Sequence, residues 1–168
     1  MAQRERSERT RQRIVQATLD LIAGEGLEKV TVRKIAAAAQ VNLAAVNYHF
    51  GSKDAAVNEA LKVVTSRLQV VFRRLGSGDQ PAAIRLQDFL SQVFEILCNF
   101  PEVTRHMVNQ SFRGTPVVDE YRDFLRREGI PLVTAALAEV RPEYDQARLR
   151  ARALQLLSAL SFPVLMRS

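Results

Sequence analysis

The chain has no tryptophan and a single cysteine, Cys98, and these absences limit the kind of protein it is. One cysteine cannot form the internal disulfide framework that many small secreted proteins rely on. No apolar run reaches the roughly 18 to 20 residues that a membrane-spanning helix needs. The N-terminus is charged and lacks an apolar segment, so no secretory signal is predicted. We therefore expect a cytoplasmic protein that does not contact a membrane.

Histidine is also scarce, with only His49 and His106. Glu102 lies four residues before His106, whereas a ferritin-like metal motif has a three-residue spacing and a second copy. No phosphate-binding glycine loop or nucleophile elbow is present. Cys98 lies within an apolar helical pattern, which favours an inert core thiol. The sequence thus predicts no metal, no cofactor and no enzymatic activity.

The composition points to an all-α protein with an uneven positive charge. Of 168 residues, 47% are apolar and only 7% aromatic, and the net charge is +6. Residues 1–13 hold five arginines and two glutamates, which leaves a net charge of +3. A basic arm over residues 1–9 can contact DNA phosphates or the minor groove. A solvated, partly disordered tail is the alternative interpretation of the same residues.

Residues 30–57 carry the most informative pattern, because they predict a short helix, a tight turn, a second short helix and the start of a third. Thr31 can cap the first helix, and Ser52 can cap the third. After a turn at Val41-Asn42, Val46 and Phe50 lie four residues apart and are expected to face the core. This order is that of a helix-turn-helix, whose second helix enters the DNA major groove.

The remainder of the chain predicts long helices and no strands. An apolar stripe predicts one long helix from Lys53 to about Leu75, on the order of 30 Å in length. Further helices are predicted over 81–99, from Pro101 to near Phe112, over 117–140 and over 143–166. The helix over 117–140 is interrupted at Gly129-Ile130-Pro131, where proline removes a backbone hydrogen bond. We place a helix-turn-helix domain at 1–52 and a helical domain at 53–168.

The helix-turn-helix segment resembles the DNA-binding head of the tetracycline-repressor (TetR) family of transcriptional regulators. The resemblance lies in the Thr-Val-Arg-Lys-Ile-Ala run from Thr31, in Val41-Asn42, and in the Val-Asn-Tyr-His-Phe-Gly-Ser-Lys run from Val46. The preceding helix, from Ile14 to Gly26, also fits. The resemblance implies an N-terminal three-helix head, joined by a long helix to a helical-bundle body that binds a ligand and dimerises.

The resemblance places the recognition helix at Asn42 to His49. Asn47 is the favoured side chain for base readout, and the methyl groups of Ala44 and Ala45 can meet a thymine methyl. Tyr48 and His49 are expected to bind phosphates, although Tyr48 as a core aromatic and His49 as a solvated side chain stay open. The complete predicted DNA-binding set is Thr31, Arg33, Asn42, Leu43, Ala44, Ala45, Asn47, Tyr48, His49 and Lys53.

Members of the family bind a small molecule among the middle helices. The candidates for such a pocket here are Phe89, Val93, Phe94, Leu97, His106, Met107, Gln110, Phe112, Tyr121 and Phe124. An aromatic stripe at this spacing is also what an ordinary hydrophobic core presents, and that alternative stays open.

The last helix is apolar on more than one face, since only Gln155, Ser158 and Ser161 are polar between Ala153 and Met166. The resemblance implies that the final two long helices form a four-helix dimer interface. The candidate interface residues are Leu132, Ala136, Leu154, Leu157, Leu160, Ser161 and Val164. A wholly intramolecular core is the alternative.

We therefore expect a homodimeric repressor that binds an inverted-repeat operator in double-stranded DNA and is released by a small apolar or amphipathic effector. The recognition helix departs from the commonest family pattern, since Asn42-Leu43-Ala44-Ala45 replaces a Ser-Lys-Gly-Thr run. This departure motivates the alternative function, a helical dimer that binds a ligand or a protein and has lost operator binding.

Overall fold

The structure, a computed structural model, describes residues 1–110 and 115–166. The chain divides into two compact units, Met1–Val63 and Val64–Ser168. The boundary predicted from the sequence was Ser52, so the unit that contains the helix-turn-helix extends further than expected. It keeps the first turns of the long helix because Ala56, Ala60 and Leu61 are fully buried.

The first unit consists of three helices and the beginning of a fourth. Its elements are α1 (Ala2–Glu25), a 3₁₀ turn (Leu27–Lys29), α2 (Val32–Ala38), α3 (Leu43–Phe50) and α4, which spans Lys53–Leu75. Helix α2 packs against both α1 and α3. The basic arm is helical, since α1 begins at Ala2.

Three polar side chains set where the short helices begin. The Thr31 hydroxyl accepts a hydrogen bond from the Lys34 amide (3.2 Å), and the Asn42 Oδ1 accepts one from the Ala45 amide (2.8 Å). The Ser52 hydroxyl accepts one from the Ala55 amide (3.2 Å) at the start of α4. These bonds satisfy amides that have no partner within the helix. The caps predicted at Thr31 and Ser52 are confirmed.

The turn between α2 and α3 has an unusual backbone. Gln40 has φ = 52°, in the left-handed region that favours glycine. The Arg13 guanidinium, from α1, donates hydrogen bonds to the carbonyl oxygens of Ala39 and Gln40, the latter at 3.1 Å. Arg13 therefore satisfies carbonyls that the end of α2 leaves without helical partners.

The second unit contains the rest of α4 and five further helices. These are α5 (Ala82–Asn99), α6 (Pro101–Gln110), α7 (Pro116–Phe124), α8 (Ile130–Val140) and α9 (Gln146–Met166). A five-residue π turn, Leu125–Gly129, joins α7 to α8. Helix α8 packs against α5 and α9, and α9 also packs against α5 and α6. Among the described residues there is no strand, which confirms the all-α prediction.

Phe72 is at the centre of the core of the second unit. Its ring lies edge-on to Phe89 (centroids 4.9 Å apart) and to Phe124 (5.7 Å). Gly129 approaches the same ring so closely that a Cβ there would lie 3.2 Å from Phe72 Cε1. The interruption predicted at Gly129-Ile130-Pro131 is thus the π turn, which ends where the missing proline N–H would break the α-helical ladder.

The predicted bounds of the other helices differ from the observed ones by a few residues. Helix α4 has the predicted bounds, and α5 begins one residue after Pro81. Helix α9 begins at Gln146 instead of Glu143 because the Asp145 carboxylate accepts a hydrogen bond from the Arg148 amide (2.7 Å) and caps the helix there. No helix among the described residues is long and apolar enough to cross a membrane.

The left-handed turn makes a testable prediction about stability. Replacing Gln40 by valine should destabilise the first unit by about 1–2 kcal/mol, because a β-branched residue tolerates positive φ poorly. Gln40→Gly should be neutral or stabilising by up to about 1 kcal/mol. Urea unfolding followed by circular dichroism measures both. Gln87→Val, at an exposed site in α5, is the control, and equal losses for the two valine variants would contradict the prediction.

Candidate nucleic-acid interface and ligand cavity

Four residues form the outer face of α3. Leu43, Ala44, Asn47 and Tyr48 are all exposed, while Val46 on the opposite face is buried. Residues four apart lie one above the other on a helix, so the four side chains make one patch. The patch has two apolar side chains, one amide and one phenol, and therefore no charge at neutral pH.

Tyr48 is the aromatic residue of this face, and 83% of its surface is accessible. Its ring lies edge-on to that of His49, which is half-buried (centroids 5.2 Å apart). The high exposure shows that the alternative placing Tyr48 in the core is wrong. Around the axis of α3, Tyr48 lies 100° or more away from Val46 and Phe50, the residues expected to face the core. A large aromatic side chain left in water is unusual and indicates a contact surface.

Asn42 lies at the start of α3 and has a structural role. Its Oδ1 accepts the capping bond from Ala45, so the amide NH₂ is the part that is left for a partner. Asn47, in contrast, makes no side-chain hydrogen bond within the described residues, and both ends of its amide are available.

The arginines of α1 fall into two groups. Arg11 forms an ion pair with Glu59 and lies over the Phe50 ring (5.5 Å to the centroid), and Arg13 binds the turn carbonyls. Arg4, Arg6 and Arg9 are exposed and have no ion pair among the described residues. The first group holds the helices together, whereas the second is available to anions.

Arg6 and Arg9 line a groove whose other wall includes Val41, Asn42 and Ala45. The unpaired positive charge of α1 thus lies directly beside the beginning of α3. Such an arrangement suits a polyanion that follows the edge of the uncharged patch.

The ion pair of Glu59 links α4 to α1. Burial raises the pKa of this carboxyl, but its bonds with Arg11 and Lys62 outweigh the burial and leave the pKa below the ordinary value. Glu59 is therefore ionised at neutral pH, and Arg11 keeps its partner.

The remaining predicted DNA-binding residues lie at helix starts. The Thr31 hydroxyl is occupied by its cap, Arg33 is exposed on α2, and Lys53 is half-buried in the first turn of α4. Helix N-termini carry a partial positive charge, so these positions suit phosphate groups.

The second unit contains a cavity of about 240 Å³. Most of its lining is aliphatic, and it comes from α4, α5, α6, α7 and α9. The lining residues are Val64, Thr65, Leu68, Val93, Leu97, Val103, Thr104, Met107, Val108, Val118, Tyr121, Arg122, Leu125, Leu157 and Ser161. A mainly apolar cavity with a few polar groups is the usual form of a small-molecule site.

The polar groups of the cavity differ in the hydrogen bonds that they can form with a ligand. The Thr104 hydroxyl donates to the Phe100 carbonyl oxygen (3.2 Å) and the Ser161 hydroxyl to that of Leu157 (3.1 Å), so both present lone pairs. Burial raises the pKa of Tyr121 well above its ordinary value, and its phenol stays protonated. Arg122 is ion-paired with Asp119.

Four of the ten pocket candidates, Val93, Leu97, Met107 and Tyr121, line this cavity. Phe89 and Phe124 instead pack on Phe72 in the core, and Phe94 is exposed on another face of α5. His106 and Gln110 are half-buried outside the lining. Phe112 lies outside the described residues.

The seven predicted interface residues are also divided. Ala136 and Val164 are buried within the second unit, so they have no surface left for a partner. Leu157 and Ser161 line the cavity, and Leu132 and Leu160 pack half-buried against the core. Only Leu154 is exposed. Two further large apolar side chains of α9, Phe162 and Met166, are exposed on the same side of the helix and were not among the predicted interface residues.

No group of three or more potential metal ligands occurs among the described residues.

Residues 14–60 match the family model of bacterial regulatory proteins of the tetR family. The chain carries a TetR-family DNA-binding domain. Because this family consists of regulatory proteins, the match indicates a regulator and not an enzyme, as the sequence predicted.

Solved structures of TetR-family regulators have the same fold as this chain. One from Marinobacter aquaeolei is 18% identical, has a TM-score of 0.77, and matches 90% of this chain and 76% of its own. One from Streptomyces coelicolor is 18% identical, with a TM-score of 0.76 and coverages of 95% and 72%.

A ketosteroid transcriptional regulator of Mycobacterium tuberculosis is also similar, at 18% identity, a TM-score of 0.71 and coverages of 94% and 84%. The curated proteins give no match. At these identities the similarity shows the fold alone, whereas the family match concerns the TetR-family head.

Helix α4 contributes to the cavity, which its sequence did not predict. Val64 and Leu68 belong to the apolar stripe of that helix, and Val64, Thr65 and Leu68 all form cavity wall. The stripe itself was the available signal, but periodicity does not distinguish a helix face that meets a core from one that meets a void.

The cavity can be tested with a neutral apolar fluorophore, N-phenyl-1-naphthylamine. We expect its fluorescence to rise on binding to the protein, and Val93→Trp to weaken binding by at least about tenfold, because the indole fills the cavity. Ile84→Trp adds the same side chain to an exposed position of α5 and should bind like the wild type. Equal binding by both variants would show that the fluorophore binds elsewhere.

Proposed function

We propose that the protein is a homodimeric repressor that binds an inverted-repeat operator and is released by a small, largely apolar effector. The observation that carries this proposal is the uncharged patch of α3, flanked by Arg6 and Arg9, which form no ion pair within the part of the chain that the structure describes. Specific regulators need both features, since phosphate contacts supply most of the affinity and base contacts supply the specificity. The operator is DNA, so we propose that the protein acts in the cytoplasm.

The effector is proposed to occupy the cavity of the second unit. The aliphatic lining favours an apolar molecule, and the hydroxyl groups of Thr104, Ser161 and Tyr121 favour one with a polar group. The volume of about 240 Å³ favours a small molecule.

Helix α4 is the proposed link between effector and operator. Residues near its middle, Val64, Thr65 and Leu68, form cavity wall, and the same helix begins with Lys53 and carries the Glu59 that binds Arg11. An effector that prefers one tilt of α4 would change the position of the head on DNA. A coupling of roughly 1–3 kcal/mol lowers operator affinity about 5- to 150-fold.

Self-association is supported by α9. Leu154, Phe162 and Met166 are exposed and lie at multiples of four residues along one ridge of α9, which the exposed Ser158 interrupts. Phe162 is accessible over 62% of its surface. Exposed ridges of this kind mark protein–protein contacts. A two-fold dimer would present two α3 helices about 34–36 Å apart, one turn of DNA.

Selection from a random-sequence duplex pool at near-physiological salt tests the function. We expect enrichment of an inverted repeat whose half-sites are centred about 10–10.5 base pairs apart, or a multiple of this. A variant with both Asn47→Ala and Tyr48→Ala should enrich no motif, whereas Gln87→Ala should enrich the wild-type motif. Binding without any enriched motif would contradict the proposal, and would favour a ligand- or partner-binding module.

The dimer is tested by analytical ultracentrifugation. Phe162→Glu should raise the dissociation constant of the dimer by at least about 30-fold, because it places a charge in the apolar contact. Phe94→Glu, which changes an exposed aromatic residue of α5, is the matched control and should stay dimeric. A wild-type protein that is monomeric at micromolar concentration would exclude the proposed assembly.

A further inference from the structure

We propose that α3 reads A·T base pairs, with Leu43 and Ala44 against thymine methyl groups and Asn47 bonded to an adenine. This inference rests on the proposed operator binding and adds to it the kind of base sequence that the operator contains.

The first argument is the chemistry that α3 lacks. A guanine is most commonly read by an arginine or lysine that bonds its O6 and N7 atoms. Helix α3, Leu43–Phe50, contains neither residue. Its only basic side chain, His49, is half-buried. The helix therefore has no side chain suited to the usual guanine contact.

The neighbouring basic residues are placed beside α3 rather than on its outer face. Lys34 is paired with Glu25, and Arg13 is bound to the turn carbonyls. Arg6 and Arg9 line the groove next to Asn42 and Ala45. Charges at the edge of a recognition helix meet the phosphate backbone, which carries no sequence information directly.

The second argument is what the patch offers instead. Leu43, with 44% of its surface exposed, and Ala44 present methyl groups, for which the thymine C5-methyl is the matching partner in the major groove.

Asn47 supplies the hydrogen bonds. An asparagine amide bonds adenine in a bidentate manner at N6 and N7, which requires both its oxygen and its nitrogen to be available. Asn42 has given its oxygen to the Ala45 amide, whereas Asn47 has no side-chain bond within the described residues. Asn47 is therefore the amide on α3 that can make this contact.

The spacing of the patch spans about two base steps. Leu43 and Asn47 are four residues apart, a rise of about 6 Å along α3, against about 3.4 Å per base step of DNA. A methyl contact and an amide contact one helical turn apart thus fall on different base pairs, up to about two steps from each other.

The test uses the full chain and the motif enriched from a random pool. Comparing the motifs of the wild type and of Asn47→Ala identifies the base pairs that α3 reads, since their preference relaxes in the variant. We expect these to be A·T pairs. Changing one to G·C should weaken wild-type binding about 5- to 150-fold, the range for a bidentate base contact.

The methyl contacts are tested by replacing thymine with deoxyuridine, which removes only the C5-methyl group. At a position read by Leu43, wild-type binding should fall about three- to fivefold, as expected for one buried methyl group. The Leu43→Ala variant should bind both duplexes equally well. Ile84→Ala, an equivalent truncation on the exposed side of α5, should keep the wild-type difference.

Enriched half-sites with G·C pairs at the positions that respond to Asn47→Ala would overturn the inference while leaving operator binding intact. Equal binding of thymine and deoxyuridine duplexes by the wild type would overturn the methyl contact. If the wild type enriches no motif at all, the proposed function fails and this inference fails with it, a result that neither of the other two outcomes resembles.

Discussion

The hydrogen bonds from Arg13 to the turn between α2 and α3 are the interaction on which the DNA-binding head depends. The turn leaves the carbonyls of Ala39 and Gln40 without helical partners, and Gln40 has a left-handed backbone. A guanidinium reaching across from α1 satisfies both carbonyls at once. It thereby fixes the start of α3, and the direction in which Asn47 and Tyr48 point follows from that start.

Helix α1 consequently has two functions along one charged stretch. Arg11 and Arg13 bind neighbouring elements and stabilise the head through Glu59, the Phe50 ring and the turn. Arg4, Arg6 and Arg9 stay exposed and unpaired among the described residues. Positive charge thus lies beside the uncharged outer face of α3. In the function that we propose, this arrangement separates affinity for the phosphate backbone from selection among bases.

Much of the fold was predictable from the sequence, and less of the sites. Capping side chains and apolar periodicity located α2, α3 and α4, because these signals act within a few residues. The extension of α1 to Ala2 was not located, since the arginine-rich segment has no apolar stripe. Several residues that were predicted to line the pocket or the interface lie in the core instead. The sequence does not separate these positions, because apolar residues on one helix have the same pattern whichever surface they meet. Phe89 and Val93 differ only in whether Phe72 or a void lies opposite.

The sequence by itself determined the helical class, the helix-turn-helix and the uncharged character of the recognition helix, because these depend on local spacing and residue type. Only the tertiary structure decided which arginines of α1 are free, which apolar side chains surround a cavity and which stay exposed on α9. Those outcomes depend on what packs opposite each residue. Contacts between distant parts of the chain, such as that of Arg13 with Gln40, leave no periodic trace in the sequence. The same holds for the cavity that Thr65 and Ser161 line together.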